Sequence, residues 1–85
     1  MKRITVSNIT KIDIDLIKIG DIVIARYPWK WEDYSGPFVC TVVGCWAHGF
    51  NLFSGVTEPL KFEKEYYLVR NINIEDDERD VLIVN

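Results

Sequence analysis

The most reactive side chains of this chain belong to Cys40, Cys45 and His48, which follow one another with C-x4-C-x2-H spacing. A zinc ion takes four ligands, and structural zinc sites usually place their cysteines about two to four residues apart. The sequence supplies no second ligand pair elsewhere. The pattern therefore favours two small buried residues and a turn histidine over a zinc site. We expect neither a metal nor a cofactor.

The same residues could form a nucleophilic pair, with Cys45 attacking and His48 accepting the proton. Such a pair needs a third group to orient the histidine, and no carboxylate lies near it in the sequence. Asp13 and Asp15 alternate with apolar residues, so both carboxylates are expected to face solvent. Asp21 stands where a strand begins and is expected to accept a backbone N–H. We therefore predict that the protein is not an enzyme.

Aromatic residues give the strongest signal for a function. All three tryptophans and eight of the eleven aromatic residues lie between Tyr27 and Phe53. Trp and Tyr are enriched in contact hot spots because they offer large, rigid and amphipathic surfaces. The alternative is that Trp29 and Trp46 close the ends of a barrel. The predicted binding residues are Tyr27, Trp29, Trp31, Tyr34, Trp46 and Phe50, with a polar rim from Lys30, Glu32 and Asp33.

A second candidate is an acidic turn that comprises Glu75, Asp76, Asp77, Glu78 and Asp80. A run of carboxylates can imitate the phosphates of a nucleic acid and occupy the groove of a basic partner. The same run can simply keep a loop tip in water. The sequence leaves both interpretations open.

Length and composition indicate one small domain made of strands, spanning residues 1–85. Chains of this size hide only about 60–65% of their unfolded surface, so a single small core is expected. Ile, Val and aromatic residues outnumber Leu and Ala, which favours strands over helices. The net charge is −3, with six basic against five acidic residues in 1–45 and four against eight in 46–85. Neither half has a basic stripe, so a nucleic-acid partner is disfavoured.

Cysteine use and hydropathy predict a cytoplasmic protein. On one extended strand, Cys40 and Cys45 would lie roughly 16 Å apart, too far for a disulfide, and free thiols indicate a reducing compartment. Polar residues interrupt the segment after Lys2 and Arg3, which argues against a signal peptide. No apolar run approaches the ~18 residues of a membrane span, so no membrane partner is expected.

The apolar pattern predicts six or seven short strands. The predicted strand at 22–27 is apolar on both faces until Arg26, as in a buried strand, and Pro28 ends it. Other strands are expected at 3–6 on the sheet edge and at 38–45, 50–53, 66–74 and 81–84. A compact turn at 15–19, a hairpin tip at 47–49 and a peripheral segment at 60–62 are expected between them. The last two strands are expected to pair as a C-terminal β-hairpin, with Leu68, Ile72 and Ile74 facing one side.

The segment 17–28, IKIGDIVIARYP, resembles the first strand of two groups of SH3-like barrels. One is the PemK/MazF toxin family of homodimeric endoribonucleases that cut single-stranded RNA, and residues 36–43 stand where its second strand begins. The catalytic arginine of that family precedes the strand's proline, where this chain has Gly36. The family's partner serine or threonine follows the strand, where this chain has 44–46, GCW.

The other group comprises the Tudor/PWWP-like and KOW-like barrels. They open with a similar Gly-Asp strand and display aromatic residues from the first loop. This resemblance implies binding of peptides, methylated side chains or RNA. The aromatic loop of this chain, residues 29–36, suits this group better than it suits the PemK/MazF family.

Together these features predict an all-β, SH3-like barrel of five to seven antiparallel strands, closed or nearly closed, that binds a protein partner through its aromatic loop. Two alternatives stay open. The chain could be an acidic inhibitor that occupies a partner's nucleic-acid-binding groove. The resemblance to PemK/MazF implies an endoribonuclease and a homodimer.

Overall fold

The computed structural model describes residues 1–29, 33–44 and 46–85. Within these residues the chain forms seven strands and one 3-10 turn at Ile14–Leu16. The strands are β1 (Lys2–Ile12), β2 (Ile22–Arg26), β3 (Ser35–Val42), β4 (His48–Asn51), β5 (Thr57–Pro59), β6 (Glu65–Asp76) and β7 (Val81–Val84). The described part of the chain contains no helix with the length and apolar character that a membrane crossing requires.

These strands form one curled sheet, a half-barrel, in the order β5-β4-β3-β2-β6-β1-β7. Neighbouring strands run antiparallel except β1 and β7, which are parallel. The predicted all-β class is confirmed. The predicted C-terminal hairpin is wrong because β1 and β2 occupy both sides of β6, so that β7 pairs with β1 instead. The prediction of an edge strand at 3–6 is also wrong, since β1 lies between β6 and β7.

Two hydrophobic cores lie on the two faces of β2, where a single core was expected. The first core contains Ile17, Val23, Ala25, Phe38, Cys40, Leu60 and Tyr66. The second core contains Ile4, Val6, Ile24 and Val69. Successive side chains of a strand point to opposite faces. The continuous apolar sequence of β2 is therefore explained by burial on both sides, as predicted.

The long pair of β1 and β6 changes faces near its middle. Val6 and Ile9 are three residues apart, yet both pack in or against the second core, which strict alternation does not allow. Between them, Asn8 has a positive φ of 53°, a conformation that asparagine tolerates better than most residues. In β6, Leu68 packs against the first core and Ile72 against the second. The prediction that these two residues share one face is therefore wrong.

The reversal between β3 and β4 lies earlier in the chain than predicted. Gly49 was expected at a hairpin tip, but it is buried inside β4, where an added Cβ would lie 2.7 Å from Cβ of Phe38. Close packing of the two strands, and not turn geometry, requires glycine there. Gly44, with φ of 147°, lies in the connection between the strands. β3 consequently ends at Val42, three residues before the predicted end.

The segment after β5 is anchored more firmly than its sequence suggested. Pro59 belongs to the edge strand β5, a position at which the missing N–H is tolerated. Leu60, expected to be peripheral, is only 3% exposed and belongs to the first core. Its N–H donates to the carbonyl of Ala47 over 2.9 Å. This anchor fixes the start of the turn that carries Phe62.

Candidate binding surface

Trp46 and Phe62 form an exposed aromatic pair. Their ring centroids are 5.6 Å apart, with the planes inclined by 67°. The two residues are 59% and 58% exposed, although Ala47, which follows Trp46, packs against the first core. Nδ1 of His48 lies 3.2 Å from the Trp46 carbonyl and so holds the backbone beneath the indole. A large apolar pair fixed at the surface is the arrangement that contact hot spots use.

A cavity of about 160 Å³ opens beside Phe62. One wall is the segment of the 3-10 turn, and the other is the connection between β3 and β4. Its lining residues are Ile14, Asp15, Ile17, Val43, Gly44, Ala47 and Phe62. Five of these seven residues have apolar side chains, and Asp15 contributes an exposed carboxylate.

A second cavity, of about 300 Å³, lies on the other side of Phe62. It shares Ile14, Asp15 and Phe62 with the first cavity and extends to Lys64 and Tyr66. We call the two cavities together the Phe62 groove. Phe62 therefore borders both cavities, and both are lined by Ile14 and Asp15 of the 3-10 turn.

Lys64 connects the Phe62 groove to a second exposed indole. Its ammonium lies 4.9 Å from the centroid of the Tyr27 ring, within the range of a cation–π contact. The Tyr27 ring is 5.5 Å from the ring of Trp29, whose side chain is 60% exposed. One surface thus runs from Trp46 through the groove to Trp29. Three of the six predicted binding residues, Tyr27, Trp29 and Trp46, lie along it.

Tyr66 holds the turn that presents Phe62. Its hydroxyl oxygen accepts the N–H of Lys61 over 2.6 Å, and the N–H of Lys64 donates to the carbonyl of Lys61 over 3.2 Å. The Tyr66 ring is buried in the first core, and this burial raises the pKa of its hydroxyl to about 12. The hydroxyl is therefore uncharged at neutral pH, and its hydrogen bond with Lys61 anchors the turn that carries Phe62.

Tyr34, another predicted binding residue, lies elsewhere, against Tyr67 beside the second core. The guanidinium of Arg26 lies 5.6 Å from the centroid of the Tyr34 ring and 5.7 Å from that of Tyr67. The Tyr67 hydroxyl donates to Glu65 over 2.9 Å, which lowers the pKa of that carboxyl. Glu65 also lies 3.5 Å from Nε of Arg26. The charged and hydroxyl groups of Arg26, Glu65 and Tyr67 therefore contact one another.

Phe50, another predicted binding residue, is separated from this surface. Phe50 follows Gly49, whose face contacts Phe38 of the first core, so the Phe50 side chain points to the opposite face of the sheet. Trp31 and its neighbours Lys30 and Glu32 lie outside the described residues, and their predicted roles stay predictions. Asp33, of the predicted rim, is exposed beside Tyr34.

The acidic turn between β6 and β7 is partly used by the fold itself. Asp77 lies 2.9 Å from the guanidinium of Arg3 and accepts the N–H of Glu78 over 2.6 Å. Partial burial opposes the ionisation of Asp77, but the N–H groups of Glu78 and Arg79 and the guanidinium of Arg3 lower its pKa overall. Asp80 accepts the N–H of Lys2 over 3.0 Å. The other acidic residues, Glu75, Asp76 and Glu78, are exposed.

The cysteine and histidine pattern shows no chemistry among the described residues. Cys40 is buried in the first core, and this burial raises the pKa of its thiol, which disfavours the reactive thiolate. Cys45, which both the zinc pattern and the nucleophilic pair require, lies outside the described part of the chain. No group of three or more His, Cys, Asp or Glu side chains in residues 1–29, 33–44 and 46–85 could hold a metal ion.

Sequence reasoning missed two residues that shape this surface, Phe62 and Lys64. The available signal was local, because Phe62 is a lone aromatic residue between Lys61 and Glu63. An aromatic side chain flanked by charges in a turn is poorly placed for burial and is a candidate for contact. Lys64 gave no signal, since its position over Tyr27 depends on the pairing of β2 with β6.

Comparison with models of known protein families, with curated proteins and with solved structures found no match for this chain.

Proposed function

We propose that this protein is a non-enzymatic binding module that holds a protein partner in the Phe62 groove. The observation that carries the proposal is the Trp46–Phe62 pair, which stays more than half exposed next to a core that contains smaller apolar residues. Exposed aromatic rings on a fixed support lose little conformational freedom when a partner covers them. The partner inserts one apolar side chain beside Phe62, and Trp46 covers it from above.

The size of the groove favours a side chain over a small molecule. Pockets for small ligands are usually about 300–1,000 Å³ and enclose most of the ligand. The two cavities of the groove measure about 160 Å³ and about 300 Å³, so neither one alone exceeds the lower end of this range. A cavity of the smaller size suits a single aliphatic side chain, whose neighbours in the partner then lie on the exposed rings of Trp46 and Trp29.

Charge at the groove favours a partner with a basic residue beside its apolar anchor. Asp13 and Asp15 are exposed along the groove and make no ion pair within the described residues. Lys11, also at the groove, is engaged 3.3 Å from Glu65. Uncompensated carboxylates repel phosphates and attract Lys or Arg. A protein segment therefore fits this surface better than a nucleic acid.

The two alternative functions have weaker support. An acidic inhibitor needs free carboxylates, whereas Asp77 and Asp80 are engaged with groups of β1 and the following turn. A PemK/MazF-like nuclease needs an arginine before Pro37. Gly36 stands there with φ of 108°, and an added Cβ would lie 2.9 Å from the Phe38 ring, so this position does not accept a larger residue without rearrangement.

The experiment is a selection of random twelve-residue peptides, displayed on phage, against the purified protein, with the Phe62→Ala variant as a parallel target. We expect enriched peptides that share one aliphatic residue next to Lys or Arg and that bind the wild type at least tenfold more tightly than the variant. Ile74→Ala, which removes an exposed apolar side chain on a distant part of β6, should leave binding unchanged. Peptides that bind wild type and Phe62→Ala equally would exclude the Phe62 groove as the site.

A further inference from the structure

The two edge strands of the sheet differ in their protection against pairing. β5 is three residues long and includes Glu58 and Pro59, features that keep an edge strand from accepting another strand. β7, at the opposite edge, has the sequence Val-Leu-Ile-Val, with neither a charge nor a proline. β7 is therefore the edge suited to pair with a further strand.

The backbone of β7 offers hydrogen-bonding groups at this edge. The N–H of Asn85 donates to the carbonyl of Val6 in β1 over 2.9 Å. Peptide groups alternate in direction along a strand, so Ile83 also turns its N–H and C=O toward β1. Leu82 and Val84 turn theirs outward, and no other backbone group of the described residues pairs with them there. Two donors and two acceptors thus face away from β1.

The side chains next to this edge are apolar and incompletely covered. Leu82 and Val84 pack against the second core and line a cavity of about 370 Å³ together with Asp33 and Tyr34. Ile83 points to the other face of the sheet and is 36% exposed. A strand added at this edge would cover these side chains while it satisfies the backbone groups.

We propose that β7 pairs with β7 of a second copy of this chain, antiparallel about a twofold axis. In the register that places Leu82 opposite Val84 of the second copy, the two outward donors of each copy meet the outward acceptors of the other. Ile83 then lies on the axis and contacts its own counterpart. The second cores of the two copies become continuous across the axis.

A second copy suits this edge because the edge is self-complementary. The outward groups are two residues apart on both strands, so a twofold axis matches every donor with an acceptor. Asp80 immediately precedes β7, and antiparallel pairing places the acidic turns of the two copies at opposite ends of the new ladder. The protected edge at β5 does not accept β7, so pairing ends at two copies and forms no filament.

The proposal is tested by sedimentation velocity over a range of protein concentrations. We expect a concentration-dependent dimer, weakened at least tenfold by Val84→Pro, which removes an outward N–H without removing a bond to β1. Val84→Ala is the matched control because it shortens the same side chain but keeps the N–H, and it should dimerise more tightly than the proline variant. Ile83→Lys, which places two ammonium groups on the axis, should also give a monomer. It provides the test if the Val84→Pro variant does not fold.

Amide hydrogen exchange gives a second readout, since the Leu82 amide should exchange slowly at dimer concentrations and rapidly after dilution. A wild type that stays monomeric at all concentrations, or that forms larger assemblies, would overturn the proposal. So would a Val84→Pro variant that is folded and dimerises like the wild type. Phe62→Ala separates this interface from the Phe62 groove: it should leave the dimer intact, and a monomeric Phe62→Ala protein would place the contact in the groove instead.

Discussion

Two aromatic pairs of this molecule have similar ring geometry but different surroundings. The rings of Tyr34 and Tyr67 are 5.3 Å apart at 84°, and those of Trp46 and Phe62 are 5.6 Å apart at 67°. Arg26 contacts both tyrosine rings, whereas the Trp46–Phe62 pair borders an open groove. The surroundings of an aromatic pair, more than the number of aromatic residues, distinguish a structural cluster from a candidate binding site.

The largest expected effect is the loss of binding when the exposed pair is removed. Trp46→Ala combined with Phe62→Ala should weaken the selected peptides by roughly a hundredfold or more, because truncation of a hot-spot aromatic residue costs about 2 kcal/mol or more. Isothermal titration calorimetry measures the loss. The free energy of unfolding should change by less than about 1 kcal/mol, since both rings are mostly exposed. A large loss of stability with retained binding would reverse the roles assigned to the two pairs.

The opposite pattern is expected for the Tyr34–Tyr67 pair. Tyr67→Ala removes the ring that contacts Tyr34 and Arg26 and the hydroxyl that donates to Glu65. We expect a loss of about 2 kcal/mol in the free energy of unfolding, less than for a fully buried ring, with peptide affinity within twofold of wild type. Urea unfolding followed by circular dichroism gives the first value. Binding that falls as steeply as in the Phe62 variants would show that both pairs serve the same surface.

Tyr66→Phe should affect both properties moderately, because Tyr66 belongs to the first core and also supports Phe62. The variant keeps the buried ring but loses the acceptor for the Lys61 N–H, at a cost of about 1 kcal/mol in stability. The turn then presents Phe62 less rigidly, so peptide affinity should fall severalfold. The control is Val69→Ala, which destabilises the second core and leaves the turn that carries Phe62 unchanged.

The same tyrosine makes a prediction for alkaline pH. Its pKa is about 12 in the folded chain and 10.0 when exposed, so the folded state retains a proton that the unfolded state loses. The stability that this difference contributes is fully present below pH 10 and declines as the pH rises toward 12. Urea midpoints measured across this interval should fall more steeply for wild type than for Tyr66→Phe. Parallel curves would contradict the burial of the hydroxyl.

The smallest effect is expected at acidic pH, at Glu65. The hydrogen bond from Tyr67 lowers the pKa of Glu65 below its ordinary value of 4.5, so the ionised form is preferred in the folded state. The resulting stabilisation is present above pH 4.5 and disappears as the pH falls through the lower, folded pKa. Glu65→Gln should therefore show a slightly flatter acid limb than the wild type in thermal unfolding curves.

Much of the fold follows from local sequence patterns. The continuous apolar run of residues 22–25 predicts a strand covered on both faces, and β2 lies between the two cores. A compact turn is predicted at residues 15–19, and the 3-10 turn Ile14–Leu16 overlaps this segment. The side chain of Asp21 accepts the N–H of Lys18 over 2.9 Å, as its position predicts. These features depend on residues that are close in sequence.

Features that depend on distant pairing could not be predicted in the same way. The choice of β7 to join β1 depends on a free strand edge beside β1, which no local pattern records. The face change at Asn8 is likewise set by which core each half of β1 meets. For the binding surface, sequence proximity grouped Tyr34 with Trp29, whereas the fold places Tyr34 with Arg26 and Tyr67, near the second core.

The position of β1 between β6 and β7 also affects how the chain reaches its folded state. Lys2 pairs with Asp76 and Arg3 with Val81, so both ladders of β1 join segments from opposite parts of the sequence. Closing such long loops before any contact forms is entropically costly, and domains dominated by distant pairings fold in about milliseconds to seconds. During synthesis, β1 leaves the ribosome long before either partner strand. Its Ile4 and Val6 side chains therefore have no native core to enter until β6 has been made.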